Sequence, residues 1–421
     1  MMRVERRLRG EGEFILTNGN RVPSGPVQIK QYFSGRTLLC CNQSTPIRML
    51  AQFESITGFQ GKTTKGQPIQ TPRGIQFLFS NAEQICFNAT RVEIGKQSTG
   101  ADTHELSLTN LRFDKDVPQA IALGVEYGDA PIRVRLIPRR NYAARTRYLG
   151  VTEDIVSTAK LQFCAEVAPS EFITDFCTAL SVVQGRRINW IHHGTYSKRK
   201  VQHAQFGQTI TKPYTGQPLC FNPDTRTGVQ LKINTVTEVL PAIKEFRETF
   251  DPDRRIINHW LDARTEIDYL EARTLKYVVV IEALNAITLQ TNRSILKTVV
   301  DSKIWRKLYP KVVASLQSEA IASKVLTLQN WQRINLSSFK ETLVAVCNRH
   351  QITVSKSDLG SFSRIRNDMV HRLRYDLSIQ LPAPWDMLDR QQVALHYFVA
   401  DFVDRIVLQL FGLGSYLEST S

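Results

Sequence analysis

From Gly12 to about Gly150 the apolar residues come in short runs, GEFILT, GPVQIKQYF, RTLLCC, GIQFLFS and PIRVRLIP, bounded by Gly, Pro, Asn and Ser. Runs of that length between turn formers predict strands, and so a sandwich or barrel-like β domain. The texture changes near Pro169. In PSEFITDFCTALSVVQG the residues Phe172, Phe176, Leu180 and Val183 fall on one stripe. Ser170 stands as N-cap and Gly185 as C-cap, so the segment predicts an amphipathic helix. RINWIHHGTY and TGVQLKINT follow as short strand candidates.

Beyond Pro241 aliphatic residues recur at helical spacing. The predicted helices span 241–250, 263–289, 294–308, 312–328, 337–350, 357–374 and 387–412. Leu270, Leu275, Val278, Ile281, Leu284 and Ala286 give the long helix an apolar side. The expected fold class is therefore α+β and multidomain. Residues 1–238 form a front domain, β-rich to about 160 with a short α/β part after it. Residues 239–421 form an all-α helical bundle with short connections.

A chain of 421 residues, 42% hydrophobic and 22% charged, is long enough for two to three domains with real cores. Its net charge of +15 favours anionic partners, nucleic acid first and an acidic membrane surface second. Most of that charge lies in front: residues 1–240 hold 30 Lys+Arg against 19 Asp+Glu (30 − 19 = +11), and 241–421 hold 24 against 20 (+4). The opening MMRVERRLRGEGEF has no apolar run behind its basic residues, so it does not read as a signal peptide. YVVVIEALNAI, broken by Glu282 and Asn285, is too short to span a bilayer. The seven cysteines form no CxxC pair, which predicts reduced, mostly buried thiols and a soluble, cytoplasmic protein. No GxxxxGK[ST], GxGxxG after a strand, GxSxG or HExxH occurs, so ATPase, dehydrogenase, hydrolase-elbow and zinc-protease chemistry has no support.

Arg-x4-His occurs three times, as Arg187 with His192, Arg254 with His259, and Arg366 with His371. Only the third, in SFSRIRNDMVHR, continues as Arg-Asn-x3-His inside a predicted amphipathic helix. An RNA phosphodiester carries its own nucleophile, the 2′-hydroxyl, so cleavage needs proton transfer and charge stabilisation on the phosphate. His371 suits proton transfer because its ordinary pKa lies near neutrality. Arg366 offers a planar fork to phosphate oxygens. Asn367 and His371 are four apart on one helix face, so the amide is placed to orient the imidazole or touch the phosphate. Arg366 and His371 are about 140° apart at ~100° per residue, within reach of a long arginine. The plainer reading is a solvated salt-bridge ladder through Arg364, Asp368 and Arg372.

SFSRIRNDMVHR resembles the motif of the HEPN superfamily. Its ribonucleases carry an arginine, a polar neighbour and a histidine four to six residues on. DYLEARTLKYVVVIEALNAI resembles the first long helix of HEPN domains in anti-phage proteins of the ApeA type. EFITDFCTALSVVQGRRINWIHHGTYSKRK resembles part of the ApeA N-terminal domain, and GEFILTNGNRVPSGPVQI is a fainter match to its opening. The resemblance implies an ApeA-like front domain and a HEPN-like back domain. It implies a metal-independent endoribonuclease without cofactor, acting in abortive-infection defence on RNA (tRNA among the options) after a phage-derived trigger. Its catalytic residues would be Arg366, Asn367 and His371, in a cleft formed where two protomers of a homodimer meet. Glu282, set among apolar neighbours, is then a partner for Arg366 or His371, or else a surface residue, with Glu271 as a competitor. The alternative is a non-catalytic binding protein whose bundle serves dimerisation.

Two basic stretches remain. Arg133 to Arg147 holds six arginines, among them Arg139 and Arg140. Gly185 to Lys200 holds Arg186, Arg187, Lys198, Arg199 and Lys200, interleaved with Trp190, Tyr196, His192 and His193. Cations mixed with aromatics suit single-stranded nucleic acid, and these seven are the expected RNA contacts. A solvated loop and a buried strand are the plain alternatives. His192 and His193 lack Cys or acidic companions at ligand spacing, so no metal is expected there.

Overall fold

A computed structural model of the chain describes residues 4–32, 36–42, 56–72, 74–80, 84–95, 102–111, 113, 119–127, 131–139, 157–165, 170–197, 200–207, 219–229, 231–264, 269–291, 302–318 and 338–418. The chain divides into two compact units. One comprises Met1–Thr215 with Lys232–Pro241, the other Gly216–Leu231 with Ala242–Ser421.

The first unit holds fourteen strands in one sheet. They are β1 Val4–Leu16, β2 Arg21–Tyr32, β3 Thr37–Asn42, β4 Ile56–Thr63, β5 Pro68–Gln70, β6 Ile75–Ser80, β7 Gln84–Ala89, β8 Arg91–Gly95, β9 Asp102–Thr109, β10 Ile121–Glu126, β11 Pro131–Pro138, β12 Ser157–Ala165, β13 Asn189–Ser197 and β14 Lys200–Gly207. Their order is β10-β11-β12-β9-β13-β14-β8-β5-β4-β1-β2-β3-β7-β6, and the pairs are antiparallel. Alternation sets the faces. Ile132, Val134 and Leu136 of β11 are buried while Arg133 and Arg135 between them are exposed.

The sheet curls. Phe14, Ile29, Leu39, Phe59, Ile75 and Phe206 share one core cluster although β6 and β14 stand eight places apart in the order. Across the curl the Gln31 side-chain amide on β2 donates to the Ile191 carbonyl on β13 at 2.5 Å. Gly12 and Gly61 face each other between β1 and β4. A β-carbon on Gly12 would come within 2.6 Å of the Gly61 Cα, so this close approach requires glycine.

The expected helix is present as α1, Ser170–Gln184. Gly185 follows with φ of +60°, and the Arg186 amide donates back to the Ser181 carbonyl at 3.1 Å. That is the glycine-terminated helix end the sequence predicts. The side chain of Ser170 and residue 169 lie outside the described residues. The strand after α1 does not open a separate α/β part: β13 pairs with β9 and re-enters the same sheet.

Cys40 and Cys86, directly opposite in the β3–β7 register, are joined as a disulfide. The expectation of reduced thiols fails for these two, since the ladder brings together residues whose sequence spacing carries no signal. Cys41, Cys177, Cys220 and Cys347 are free and buried.

The second unit is helical but not all-α. A hairpin of β15 Leu219–Asn222 and β16 Thr227–Val229 belongs to it. So the division is not the single cut expected at 238/239. Its helices are α2 Val236–Thr249, which crosses the division at Pro241, α3 Arg255–Ala263, α4 Leu270–Thr291, α5 Ser302–Ser318, α6 Phe339–Arg349, α7 Lys356–Arg372, α8 Gln391–Leu410 and the short α9 Ser415–Glu418. The expected helix over 263–289 begins later, at Leu270, and α3 is a separate element before it. One helix through Pro310 stands where two were expected over 294–308 and 312–328; residues 292–301 and 319–337 lie outside the described residues.

α4 is wrapped by α3, α6, α7 and α8. Tyr277, Val278, Val280, Ile281 and Leu284 are buried in it, whereas Ala286, placed on the apolar side by spacing, is exposed. A fully buried ion pair ties the unit together. Arg264 lies 2.6 Å from both Asp404 carboxylate oxygens, which also accept from the Trp260 indole at 2.8 Å and the Cys220 amide at 3.1 Å. No described helix is long and apolar enough to cross a membrane.

Candidate functional site

α7 carries the Arg-Asn-x3-His motif. The Ser355 hydroxyl caps the helix by accepting from the Asp358 amide at 3.0 Å. Asp358 in the first turn and His371 and Arg372 in the last suit the helix dipole. Leu359, Phe362, Ile365 and Met369 are buried, so α7 docks by that stripe. Arg366, one residue past Ile365, lies at the edge of the stripe and is half-buried.

Arg366 is held on three sides. Its Nε donates to a Glu282 oxygen at 2.6 Å, and its Nη2 lies 2.5 Å from the same oxygen as an ion pair. Its Nη1 donates to the Asn367 Oδ1 at 3.0 Å. Its guanidinium carbon stands 4.6 Å from the centre of the Phe339 ring. A guanidinium has five N–H groups and this one makes two hydrogen bonds, so N–H groups remain for an incoming acceptor.

Glu282 on α4 thus faces Arg366 across the bundle. Glu271 does not: it lines a separate cavity of about 530 Å³ with Tyr269, Leu275, Leu373, Arg374 and Tyr375. Phe339 was missed by sequence reasoning. The only signal near it is the capping box that starts α6: the Ser338 hydroxyl accepts from the Glu341 amide while the Glu341 carboxylate accepts from Ser338. That box fixes where α6 begins and so fixes Phe339, which also stacks on Phe362 at 6.3 Å between centroids.

His371 stands apart from this cluster. It is exposed near the end of α7 and has no hydrogen-bond partner among the described residues. The expected Asn367–His371 contact is absent because the Asn367 oxygen is taken by Arg366. Of the salt-bridge ladder only Asp368–Arg372 forms, at 3.3 Å. The arrangement is therefore a pre-oriented cation, itself partly neutralised by Glu282, on the same helix as an accessible imidazole.

The basic stretches fare unevenly. Arg140, Lys198 and Arg199 lie outside the described residues. Arg186 is buried behind α1 and donates to the Gln184 carbonyl, so it is not presented to RNA. The reason is the helix end: Gly185 turns the chain inward. Arg187 and Arg139 are half-buried, and Arg139 donates to the Ser107 hydroxyl at 3.2 Å. Lys200 is exposed.

His192 and His193 are buried strand residues. His193 Nε2 lies 2.9 Å from His104 Nδ1, and burial, helped by His104, pushes its pKa down to about 3. Burial and the neighbouring Arg6 depress His192 as well. Among the described residues no group of three His, Cys, Asp or Glu is placed to hold a metal ion. Comparison with protein-family models, with curated proteins and with solved structures finds no match.

Proposed function

We propose that the chain is a metal-independent endoribonuclease of HEPN type whose site is Arg366, Asn367 and His371, with Glu282 as the residue that positions Arg366. The observation that carries this reading is the Glu282–Arg366–Phe339 arrangement. An arginine gripped by a carboxylate, packed on an aromatic ring and left with open N–H groups is prepared for a phosphate oxygen. The exposed imidazole of His371 then takes the 2′-hydroxyl proton, and charge growing on the phosphate falls to Arg366. As the O2′–P bond forms, the P–O5′ bond breaks and the departing 5′-oxygen takes up a proton from water, which leaves a 2′,3′-cyclic phosphate or its hydrolysis product. Asn367 acts through Arg366 by holding its Nη1.

Tyr269, Leu373, Leu377 and Met387 are exposed apolar residues in the same unit as His371, Tyr269 to 87% of its full surface. They support a homodimer through the helical unit, with the cleft shared between protomers. A setting in abortive-infection defence, with a phage-derived trigger, and a cytoplasmic location rest on the family resemblance alone. Expression in cells tests the reading. Growth should slow with the wild-type chain and recover with Arg366→Ala or His371→Ala; slow growth that persists in both variants would assign the effect elsewhere.

A further inference from the structure

A second basic site lies in the β-rich unit, and of the RNA contacts expected from the sequence only Lys200 is among its described lining residues. A cavity of about 990 Å³ opens beside the start of β1 and is lined by Arg6, Arg7, Arg9, Lys65 and Lys200, with no carboxylate among the described lining residues. Three parts of the chain supply the exposed cations. β1 supplies the arginines, the turn between β4 and β5 supplies Lys65, and the first residue of β14 supplies Lys200.

The walls are held in place. The Thr64 amide donates to the Arg9 carbonyl at 3.0 Å, and the Gln67 amide group donates to the Val201 carbonyl at 2.8 Å. At the inner end Arg6 is clamped, its Nη1 3.0 Å from His192 Nε2 and its Nη2 3.5 Å from Glu105. Since a guanidinium only donates, His192 must accept through Nε2.

Arg7 and Arg9 are both exposed and two residues apart on one strand, so they project from the same face at a spacing of about 6.8 Å. That spacing resembles the separation of neighbouring phosphates along a nucleic-acid strand. Lys30 faces Arg7 across the β1–β2 ladder, which adds a further cation. Among the described lining residues no aromatic ring is exposed, which favours contact with the backbone over base stacking.

We infer that this cleft binds the phosphodiester backbone of single-stranded RNA, with Arg7, Arg9, Lys65 and Lys200 as the contacting cations. The inference rests on the ribonuclease reading only for the choice of RNA; the cleft's chemistry stands without it. Anisotropy of a short fluorescein-labelled 2′-O-methyl oligoribonucleotide tests it on the full chain, because that strand lacks the attacking hydroxyl and reports binding whether or not the protein cuts.

Arg7→Gln/Arg9→Gln should weaken binding by about tenfold and lower the slope of log affinity against log salt by about 1.4, at ~0.7 per phosphate contact on a single strand. Arg133→Gln/Arg135→Gln removes the same charge from the exposed face of β11 and should leave affinity within about twofold. Equal losses in the two variants, or no loss in the first, overturn the assignment. So does displacement of the strand by a nucleoside triphosphate at equal phosphate concentration, which would make the cleft a small-ligand site. His371→Ala should bind like wild type, so failure of the catalytic reading and failure of this one give different results.

Discussion

Arg366 donates a hydrogen bond from Nε to an oxygen of Glu282, and its Nη2 stands in ion-pair contact with that same oxygen. The carboxylate is about a third exposed, so the pair adds little to stability, on the order of 0–1 kcal/mol. Its effect is to hold the guanidinium plane. Glu282→Gln should keep an acceptor for Nε but lose the ion pair, and lower kcat for RNA cleavage several-fold. Glu282→Ala should lower it by ~10-fold or more, with the melting temperature nearly unchanged in both. A loss confined to KM would show that Glu282 contributes only to substrate binding.

Phe339 carries the face on which Arg366 rests. Phe339→Leu keeps most of the apolar volume but removes the ring, so it should cost about 0.5–1 kcal/mol of cation–π contact and its share of stacking on Phe362. Urea denaturation measures that cost. The accompanying fall in cleavage should resemble Glu282→Gln, because both changes loosen the same guanidinium.

Asp404 is the counter-ion of a fully buried arginine. Asp404→Ala should destabilise the helical unit by about 3–5 kcal/mol, since Arg264 would be left charged without its carboxylate. Asp404→Asn should fall between: its one carbonyl oxygen keeps an acceptor for either the Trp260 indole or the Cys220 amide, which bond different oxygens of Asp404, but not for both. A Tm unchanged by Asp404→Ala would contradict the buried pair.

His193 and His396, one in each unit, are held by burial at a pKa of about 3. In the unfolded chain each returns to about 6.5. Between those values the unfolded state binds more protons, so stability is fully present above about pH 6.5 and is lost as pH falls toward 3. Denaturation midpoints from pH 7 to pH 4 should decline. Replacing His193 with Asn should flatten the part of the decline that belongs to the β-rich unit.

The sequence was legible where local rules act. Strand runs such as PIRVRLIP alternate cleanly, and α1 ends at Gly185 because only a residue tolerant of positive φ closes that turn. The grouping of Glu282 with Arg366 was one of several options, since nothing local distinguishes it from Glu271. What stayed hidden was long-range: the Cys40–Cys86 register, the return of β13 to the main sheet, and Phe339 beneath Arg366. The cleft at Arg7 and Arg9 was hidden too, because its cations come from three distant parts of the chain. Arg186 shows the opposite error, a basic residue that composition places on the surface and a helix end turns inward.

The central claim is that α7 carries a nuclease site, and incubation of purified protein with total RNA and tRNA in EDTA tests it most directly. Wild type should cut and leave 2′,3′-cyclic phosphate ends, while Arg366→Ala and His371→Ala should not. Equal cutting by all three proteins would contradict the site and place any activity elsewhere.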